Sequence, residues 1–273
     1  MIAIVDSGRE KFVVKLYPDH HRYALKECCA IQLLNQHAVD QVPEVLYAQT
    51  DSLPAAVILG YRRGVPLTSS RTSLATVLPR ILFTIARYRE ITGSMFGEIT
   101  GTFASVSNGY DQAAFVLGLR EYWLDQIARA NFLHVLRDDD SPCLWTRWHG
   151  ESLLSTNPCF CHADLSLDNI LVFRRRTVIL DYDNTMWFVP EFDLCRLYLE
   201  VSLRSPEVTF PEFATIAADC YHETAGVIES GMSRFHWLVG LRRLSWLARA
   251  GDRKAFLRTH QNLRSFYDEW GAA

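Results

Sequence analysis

The sequence predicts an α+β fold with two lobes, a small β-rich N-terminal lobe followed by a larger helical C-terminal lobe. Apolar, β-branched runs typical of strands lie at 12–17 and 55–59. Later in the chain, apolar residues recur with helical spacing, as in the segments 77–86 and 237–248. The order of these patterns indicates strands first and helices afterwards.

We place the lobe boundary at Gly64 to Pro66, where a strand gives way to a turn. It divides the chain into an N-terminal lobe of residues 1–66 and a C-terminal lobe of residues 67–273. The sequence shows no internal repeat or low-complexity linker. With 273 residues, of which 49% are hydrophobic, the chain can bury a substantial core.

Lys15 interrupts the apolar strand predicted at 12–17, and a helix with Glu27 in its first turns follows it. A single Lys in such a strand is commonly an edge residue with its ammonium in water. A strand Lys paired with a helix Glu is also the arrangement that holds nucleotide phosphates in kinases. The helix is indicated by four apolar residues at its spacing, namely Leu25, Cys28, Ile31 and Leu34.

The segment CHADLSLDNILVF carries the strongest functional signal. Asp164 and Asn169 lie five positions apart behind His162, and Asp181 follows in ILDYDN. Kinases use this order for a base, one magnesium ligand and a second magnesium ligand. Asp and Asn also favour ordinary turns, but the apolar runs that follow Asn169 and precede Asp181 favour the functional interpretation.

A β-hairpin is predicted between the two predicted metal ligands. Ile170 to Phe173 and Thr177 to Leu180 are apolar runs, and three arginines at 174–176 separate them. Such a hairpin would return Asp181 to the neighbourhood of Asn169. Its carboxylate would then bridge metal to the phosphates of ATP, and the neutral amide oxygen of Asn169 could bind metal without adding negative charge beside the triphosphate.

On these motifs the chain resembles the aminoglycoside phosphotransferase and choline kinase superfamily, small-molecule kinases with a two-lobed, protein-kinase-like fold. The resemblance extends over most of the chain. It implies that Asp164 is the catalytic base and that Asn169 and Asp181 bind Mg²⁺. It also implies that Lys15, paired with Glu27, holds the phosphates of ATP. It also implies that backbone groups near the three residues of the turn after the second apolar run contact adenine, namely Gly60, Tyr61 and Arg62.

The resemblance extends to PEFDLCRL, where Asp193 would brace the catalytic loop. Ala163 stands where the family more often has Gly, a departure that adds a methyl group. Asp183 is either an additional acid beside the metal or a loop residue, and we favour the loop residue. The expected function is therefore transfer of phosphate from ATP to a hydroxyl group of a small molecule.

The first strand of the family and its phosphate-binding turn are expected to be absent here. Gly8 is the only early glycine and lies seven residues before Lys15, too close for a strand, a Gly-rich turn and a second strand. We therefore expect a hairpin of Ile2 to Val5 with Phe12 to Tyr17, weak ATP binding and slow turnover. An alternative is a kinase-like protein that binds a nucleotide or small molecule without efficient turnover.

The composition of the chain argues against nucleic acid and membrane as binding partners. The net charge of −3 gives no case for nucleic acid, and no apolar segment is long enough to span a membrane, so we expect a cytoplasmic protein. Seven cysteines without paired CxxC motifs favour buried thiols over disulfides or zinc. The oligomeric state and the acceptor stay open. Acidic residues that could receive a polyamine sugar are Asp138, Asp139, Asp140, Glu223, Asp268 and Glu269.

Overall fold

The computed structural model describes residues 1–39, 42–70, 72–99, 106–110, 112–132, 157–174 and 176–270. The chain divides into two compact units. The first contains Met1–Gly109 and Asn157–Asp193, and the second contains Tyr110–Thr156 and Leu194–Ala273. The predicted α+β class is confirmed. The lobe boundary predicted at Gly64 to Pro66 stays a prediction. The two units are defined by which residues pack together, whereas the predicted lobes are defined by their content of strands and helices.

The first half of the chain contains most of the strands. In chain order its described elements are β1 (Ile2–Asp6), β2 (Lys11–Tyr17), α1 (His21–Gln36), β3 (Val45–Gln49), β4 (Ala55–Gly60), β5 (Val65–Pro66), α2 (Leu74–Tyr88), β6 (Phe96–Ile99), β7 (Val106–Tyr110) and α3 (Gln112–Arg129).

The second half contains four short strands and four helices among the described residues. They are β8 (Cys159–Cys161), β9 (Ile170–Phe173), β10 (Arg176–Ile179), β11 (Met186–Phe188), α4 (Pro190–Arg204), α5 (Phe210–Tyr221), α6 (Ala225–Ala250) and α7 (Arg253–Trp270). None of the described helices is long and apolar enough to cross a membrane.

The predicted N-terminal hairpin is confirmed by the pairing of β1 with β2. The two strands are antiparallel, with Ile2 opposite Lys15, and form part of a sheet in the order β1-β2-β4-β3. Gly8 has a φ of +82°, a conformation that glycine adopts without steric cost, and its N–H donates to Asp6 Oδ1 at 2.8 Å. Lys15 therefore lies on an internal strand of the sheet.

Helix α1 packs against β3 and β4 of this sheet. Cys28, Ile31 and Leu34 are buried, as the helical spacing predicts, whereas Leu25 is half-buried. Glu27 is buried on the same helix. The apolar face thus fixes the rotation of the helix, and this rotation directs one carboxylate into the protein.

The hairpin predicted after Asn169 is confirmed as β9 and β10. Ile170 lies opposite Ile179, and Phe173 lies opposite Arg176, so the turn is tighter than the arginine run suggests. Arg174 has a φ of +55° in this turn, and Arg175 lies outside the described residues. A further sheet, in the order β7-β6-β11-β8, carries the segments on either side of the candidate site.

Gly64 lies where the backbone passes close to β9. A Cβ atom at this position would approach Leu171 Cβ to 2.9 Å and Val172 O to 3.2 Å. Glycine therefore permits β5 to pair with β9, the strand that follows Asn169.

The described part of the second unit is mainly helical, and α6 packs against α3, α5 and α7. The predicted apolar stripe of α6 is buried, and Gly251 ends the helix with a φ of +70°. Thr209 and Glu212 form a capping box at the start of α5. Residues of the stripe are Trp237, Leu241, Leu244 and Ala248.

His236 of α6 lies inside an aromatic cluster of the second unit. Its ring stacks on Phe266 at a centroid distance of 3.9 Å and lies 5.9 Å from Tyr198 and 6.5 Å from Tyr267. The side chain is 2% exposed, and neither ring nitrogen has a hydrogen-bond partner among the described residues. Burial lowers the pKa of His236 from 6.5 to about 3, so the folded protein holds a neutral imidazole.

This depressed pKa predicts that acid destabilises the protein through His236. Below about pH 6.5 His236 of the unfolded chain binds a proton, whereas His236 of the folded chain does not. The free energy of unfolding is therefore unaffected by protonation of His236 above that pH and falls as the pH decreases towards 3. Between pH 7 and pH 5 the loss amounts to about 2 kcal/mol. Urea unfolding at both pH values is expected to show a smaller loss for His236→Leu. The exposed His37→Leu is the control, and an equal pH dependence of all three proteins would contradict the prediction.

Candidate active site

The loop that follows β8 is closed by hydrogen bonds between its own residues. Asn169 Nδ2 donates to the carbonyl oxygen of Asp164 at 3.0 Å, and the Asn169 N–H donates to Ser166 Oγ at 3.3 Å. The spacing of five therefore forms a compact loop. The Oδ1 atom of Asn169 is the acceptor of this side chain and therefore the atom suited to bind a cation.

His162 is buried and links this loop to the segment that bears Asp181. Its Nε2 lies 2.9 Å from the carbonyl oxygen of Leu180, and its Nδ1 accepts the Asp164 N–H at 3.2 Å. The ring also packs on Tyr182 at 4.8 Å. These bonds require the tautomer with a proton on Nε2. Both ring nitrogens are thus used in holding the loop.

Asp193, in the first turn of α4, braces the loop as predicted. Its Oδ2 accepts the His162 N–H at 2.7 Å, and its Oδ1 accepts the Ala163 N–H at 2.8 Å. Ala163 has a φ of +63°, the left-handed conformation that favours glycine. Ala163 therefore occupies a backbone position that glycine would adopt without steric cost.

Lys15, Glu27 and Asp181 come together in the first unit. Lys15 Nζ lies 2.6 Å from Glu27 Oε1 and 2.6 Å from Asp181 Oδ1. Burial alone would lower the pKa of Lys15, but the two carboxylates outweigh it and raise that pKa. Lys15 therefore stays charged at neutral pH, and its position is that of a buried ion-pair residue rather than an edge residue.

Helix α1 has a second electrostatic connection, to strand β6. Lys26 Nζ lies 3.6 Å from Glu98 Oε1, and Arg22 on the preceding turn also contacts the Glu98 carboxylate. Arg22 is exposed and Glu98 is half-buried, so their pair contributes little stability by itself. Together the contacts oppose rotation of the helix that carries Glu27.

Asp181 and Asp183 form an acidic segment after β10. Asp181 has a φ of +70°, a left-handed conformation uncommon for a non-glycine residue. Burial and the neighbouring Asp181 charge raise the pKa of Asp183 to about 7, and Asp164 acts in the same direction. Asp183 Oδ1 also accepts a hydrogen bond from Asn184 at 2.7 Å. Asp183 is therefore readily protonated near neutral pH, whereas Asp181 is paired with an ammonium.

The residues predicted to contact adenine lie at the end of β4. The Gly60 N–H donates to the carbonyl oxygen of Glu44 at 2.8 Å, and the Tyr61 N–H donates to that of Lys11 at 3.2 Å. The Arg62 side chain donates to the carbonyl oxygen of Val42 at 3.1 Å. Within the described part of the chain the backbone N–H of Arg62 has no hydrogen-bond partner. Of these three N–H groups, it is the one available to a ligand.

The donor atoms fit a magnesium ion that is completed by phosphates. Among the described residues, no three His, Cys, Asp or Glu side chains lie close enough to form a metal site by themselves. Mg²⁺ commonly takes one or two protein oxygens and completes its octahedron with phosphate and water. Asn169 Oδ1 and the Asp181 carboxylate are oxygens that would suit this role. The contact of Asp181 with the Lys15 ammonium shows that this carboxylate faces a position suited to positive charge.

Comparison with known proteins establishes the family. The sequence matches the phosphotransferase enzyme family over residues 2–227, so the chain belongs to this family. No curated protein matches the sequence significantly. The resemblance inferred from the motifs is thereby confirmed, and the family supports phosphotransfer to small molecules in general.

Solved structures of aminoglycoside phosphotransferases share the fold. A thermostable mutant of APH(4)-Ia in a ternary complex with ADP and hygromycin B has a TM-score of 0.62 at 16% identity, and the match covers 97% of this chain and 92% of that one. The gentamicin complex of APH(2″)-IIa has a TM-score of 0.62 at 15% identity, with coverages of 96% and 90%. The GDP complex of an aminoglycoside 2′-phosphotransferase-IIIa mutant has a TM-score of 0.61 at 14% identity, with coverages of 98% and 92%.

Three contacts in the site lie beyond the sequence motifs. Tyr17 donates a hydrogen bond to Glu27, Glu98 contacts α1, and the carbonyl oxygen of Leu180 binds His162. Tyr17 has the clearest signal in the sequence, because it lies two residues after Lys15 and therefore shares its face of the strand. Nothing local in the sequence marks the other two contacts.

The two hydrogen bonds of Asp193 predict a large effect of Asp193→Asn on stability. An amide supplies one acceptor oxygen instead of two, so either the His162 or the Ala163 N–H loses its partner inside the protein. A loss of about 1.5–3 kcal/mol in the free energy of unfolding is expected, as for hydrogen bonds to a charged group. Urea unfolding at pH 7 measures it. The exposed Asp219→Asn should change stability by less than about 0.5 kcal/mol, and equal losses in the two variants would contradict the assigned role.

Proposed function

We propose that this chain is an ATP-dependent, magnesium-dependent kinase that phosphorylates a hydroxyl group of a small molecule. The observation that carries the proposal is the position of Lys15 Nζ, 2.6 Å from both Glu27 and Asp181. This arrangement joins a phosphate-binding Lys to a metal-binding Asp. Membership of the phosphotransferase family and the nucleotide complexes among the similar structures support it.

Each residue has a distinct role in the proposed reaction. Lys15 contacts phosphate oxygens and is oriented by Glu27, while Asn169 and Asp181 would hold Mg²⁺. When bound, Mg²⁺ neutralises the charge that develops on the phosphates. Asp164 accepts the proton of the acceptor hydroxyl as the bond between that oxygen and the γ-phosphorus forms. The bond from the γ-phosphorus to the bridging oxygen breaks, and ADP leaves.

The spacing along the sheet suits a nucleoside triphosphate. Lys15 lies opposite Val57 and Phe12 opposite Gly60, so three residues of strand, about 10 Å, separate the phosphate-binding Lys from the end of β4. The Arg62 N–H is the proposed donor to adenine, with neighbouring carbonyl groups of Gly60 and Tyr61 as acceptors. The base and the phosphates would thus lie along one sheet.

The acceptor is proposed only as a class. The similar structures include complexes with hygromycin B and gentamicin, both bound to aminoglycoside phosphotransferases. Glu223, Asp268 and Glu269 are exposed, and Asp138, Asp139 and Asp140 lie outside the described residues. We propose an aminoglycoside-like or choline-like alcohol, acted on in the cytoplasm.

ADP release, measured over a panel of such alcohols, tests this class. Nucleotide binding without ADP release would favour the alternative of a binding protein, and the affinity tests the expectation of weak ATP binding.

Asp164→Asn is expected to reduce kcat for acceptor phosphorylation by about two to four orders of magnitude, because the amide cannot accept the hydroxyl proton. The nucleotide affinity should stay within about threefold, since Asp164 is not assigned to the metal. Steady-state ADP release and calorimetry of MgATP binding measure the two quantities. Asp168→Asn, at an exposed position on the same loop, is the control. An unchanged kcat would exclude Asp164 as the base.

Asp181→Ala is expected to weaken MgATP binding more than Asp183→Ala. The Asp181→Ala substitution removes both a proposed metal ligand and the partner of Lys15. The raised pKa of Asp183 makes that residue a poorer metal ligand near neutral pH. Calorimetry with and without excess Mg²⁺ compares the variants. Equal losses would indicate a shared metal site, and a larger loss for Asp183→Ala would reverse the assignment.

A further inference from the structure

Tyr17 holds the oxygen of Glu27 that Lys15 does not contact. The Tyr17 hydroxyl donates a 2.7 Å hydrogen bond to Glu27 Oε2, while Lys15 Nζ binds Oε1 of the same carboxylate. Tyr17 and Lys15 are two residues apart on β2, so their side chains project from one face of the strand. Two side chains of one strand therefore donate hydrogen bonds to both oxygens of a carboxylate on helix α1.

The burial of Glu27 gives this hydrogen bond its importance. Glu27 is fully buried, and a buried carboxylate is costly unless its oxygens are paired. Burial, followed by the charge of Glu27, raises the pKa of Tyr17, so the phenol stays protonated and remains a donor throughout the neutral range. The two bonds together fix the rotation of the carboxylate about its last side-chain torsion.

Nucleotide binding would leave the orientation of Lys15 more dependent on the Glu27 carboxylate. In the structure Lys15 is shared between Glu27 and Asp181. In the proposed reaction Asp181 turns to Mg²⁺ and Lys15 contacts phosphate, which leaves Glu27 as the acidic partner that orients Lys15. A Glu27 carboxylate free to rotate would allow the ammonium to move away from the phosphates.

We propose that Tyr17 is a positioning residue for the nucleotide, acting through Glu27 to keep Lys15 directed at the phosphates. This inference rests on the proposed function. It assigns Tyr17 no contact with the acceptor and no part in proton transfer. Its effect should therefore appear in nucleotide binding rather than in acceptor binding.

Tyr17→Phe tests the proposal because it removes one oxygen atom and keeps the ring. Tyr47→Phe is the matched control, since Tyr47 is exposed on β3 of the same sheet and its hydroxyl contacts only Gln49 among the described residues, at 3.4 Å. Four quantities are compared: the Kd for MgATP, the KM for ATP, the KM for the acceptor, and the ¹⁵N NMR signal of Lys15 Nζ without nucleotide.

The expected result for Tyr17→Phe is a rise of roughly tenfold or more in the Kd and KM for ATP, the scale of a lost hydrogen bond to a charged group. The KM for the acceptor should not change, and the Lys15 signal should shift. A purely structural role would instead lower stability and the active fraction while leaving the ATP constants unchanged. Tyr17→His, which keeps an N–H donor on a ring, is expected to fall between the wild type and Tyr17→Phe in ATP affinity.

The outcomes separate this inference from the proposed function. An unmodified protein that binds no MgATP would overturn the proposed function and, with it, the nucleotide role of Tyr17. Binding by the unmodified protein with the same Kd and the same Lys15 signal in Tyr17→Phe would overturn the inference alone. An ATP affinity of Tyr17→His no better than that of Tyr17→Phe would exclude the hydrogen bond as the cause.

Discussion

The ammonium of Lys15 is the charge on which the arrangement of the first unit depends. Its two partners lie 12 and 166 positions away in the sequence, on helix α1 and on the loop after β10. A buried ion that loses its partner destabilises a protein by about 3–5 kcal/mol. The sheet, the helix and the loop are therefore held in one arrangement because each alternative would leave a charge unpaired inside the protein.

Asp193 plays the corresponding part for the backbone. Its carboxylate accepts two consecutive N–H groups, those of His162 and Ala163, and neither belongs to a regular strand. These bonds stabilise the left-handed conformation of Ala163, which alone would be unfavourable for a residue with a Cβ atom. One carboxylate thus sets the direction in which the chain leaves β8 and, through it, the position of Asp164.

The sequence was sufficient for features that depend on local periodicity and spacing. The strand of Lys15, the helix of Glu27 and the hairpin between Asn169 and Asp181 follow from apolar patterns over a few residues. The contacts of Tyr17 and Glu98 did not follow, because they depend on how far particular side chains reach between separate elements. The left-handed torsion of Ala163 was also hidden, since Asp193 imposes it from a helix thirty residues away. The pKa of Asp183 was inaccessible for a similar reason, because it depends on burial and on charges from other segments.

The balance of charge around Asp183 bears on the form in which a nucleotide could approach. Among the described residues, three carboxylates and one ammonium act on the Asp183 carboxylate, namely those of Glu27, Asp164, Asp181 and Lys15. The resulting negative field repels a bare polyphosphate and attracts cations, with a range set by the ionic strength. On the proposed function, the protein would therefore discriminate against uncomplexed nucleotide at the encounter itself, before any specific contact forms. The cellular ratio of free to magnesium-bound ATP would then set its working rate as directly as the total ATP concentration does.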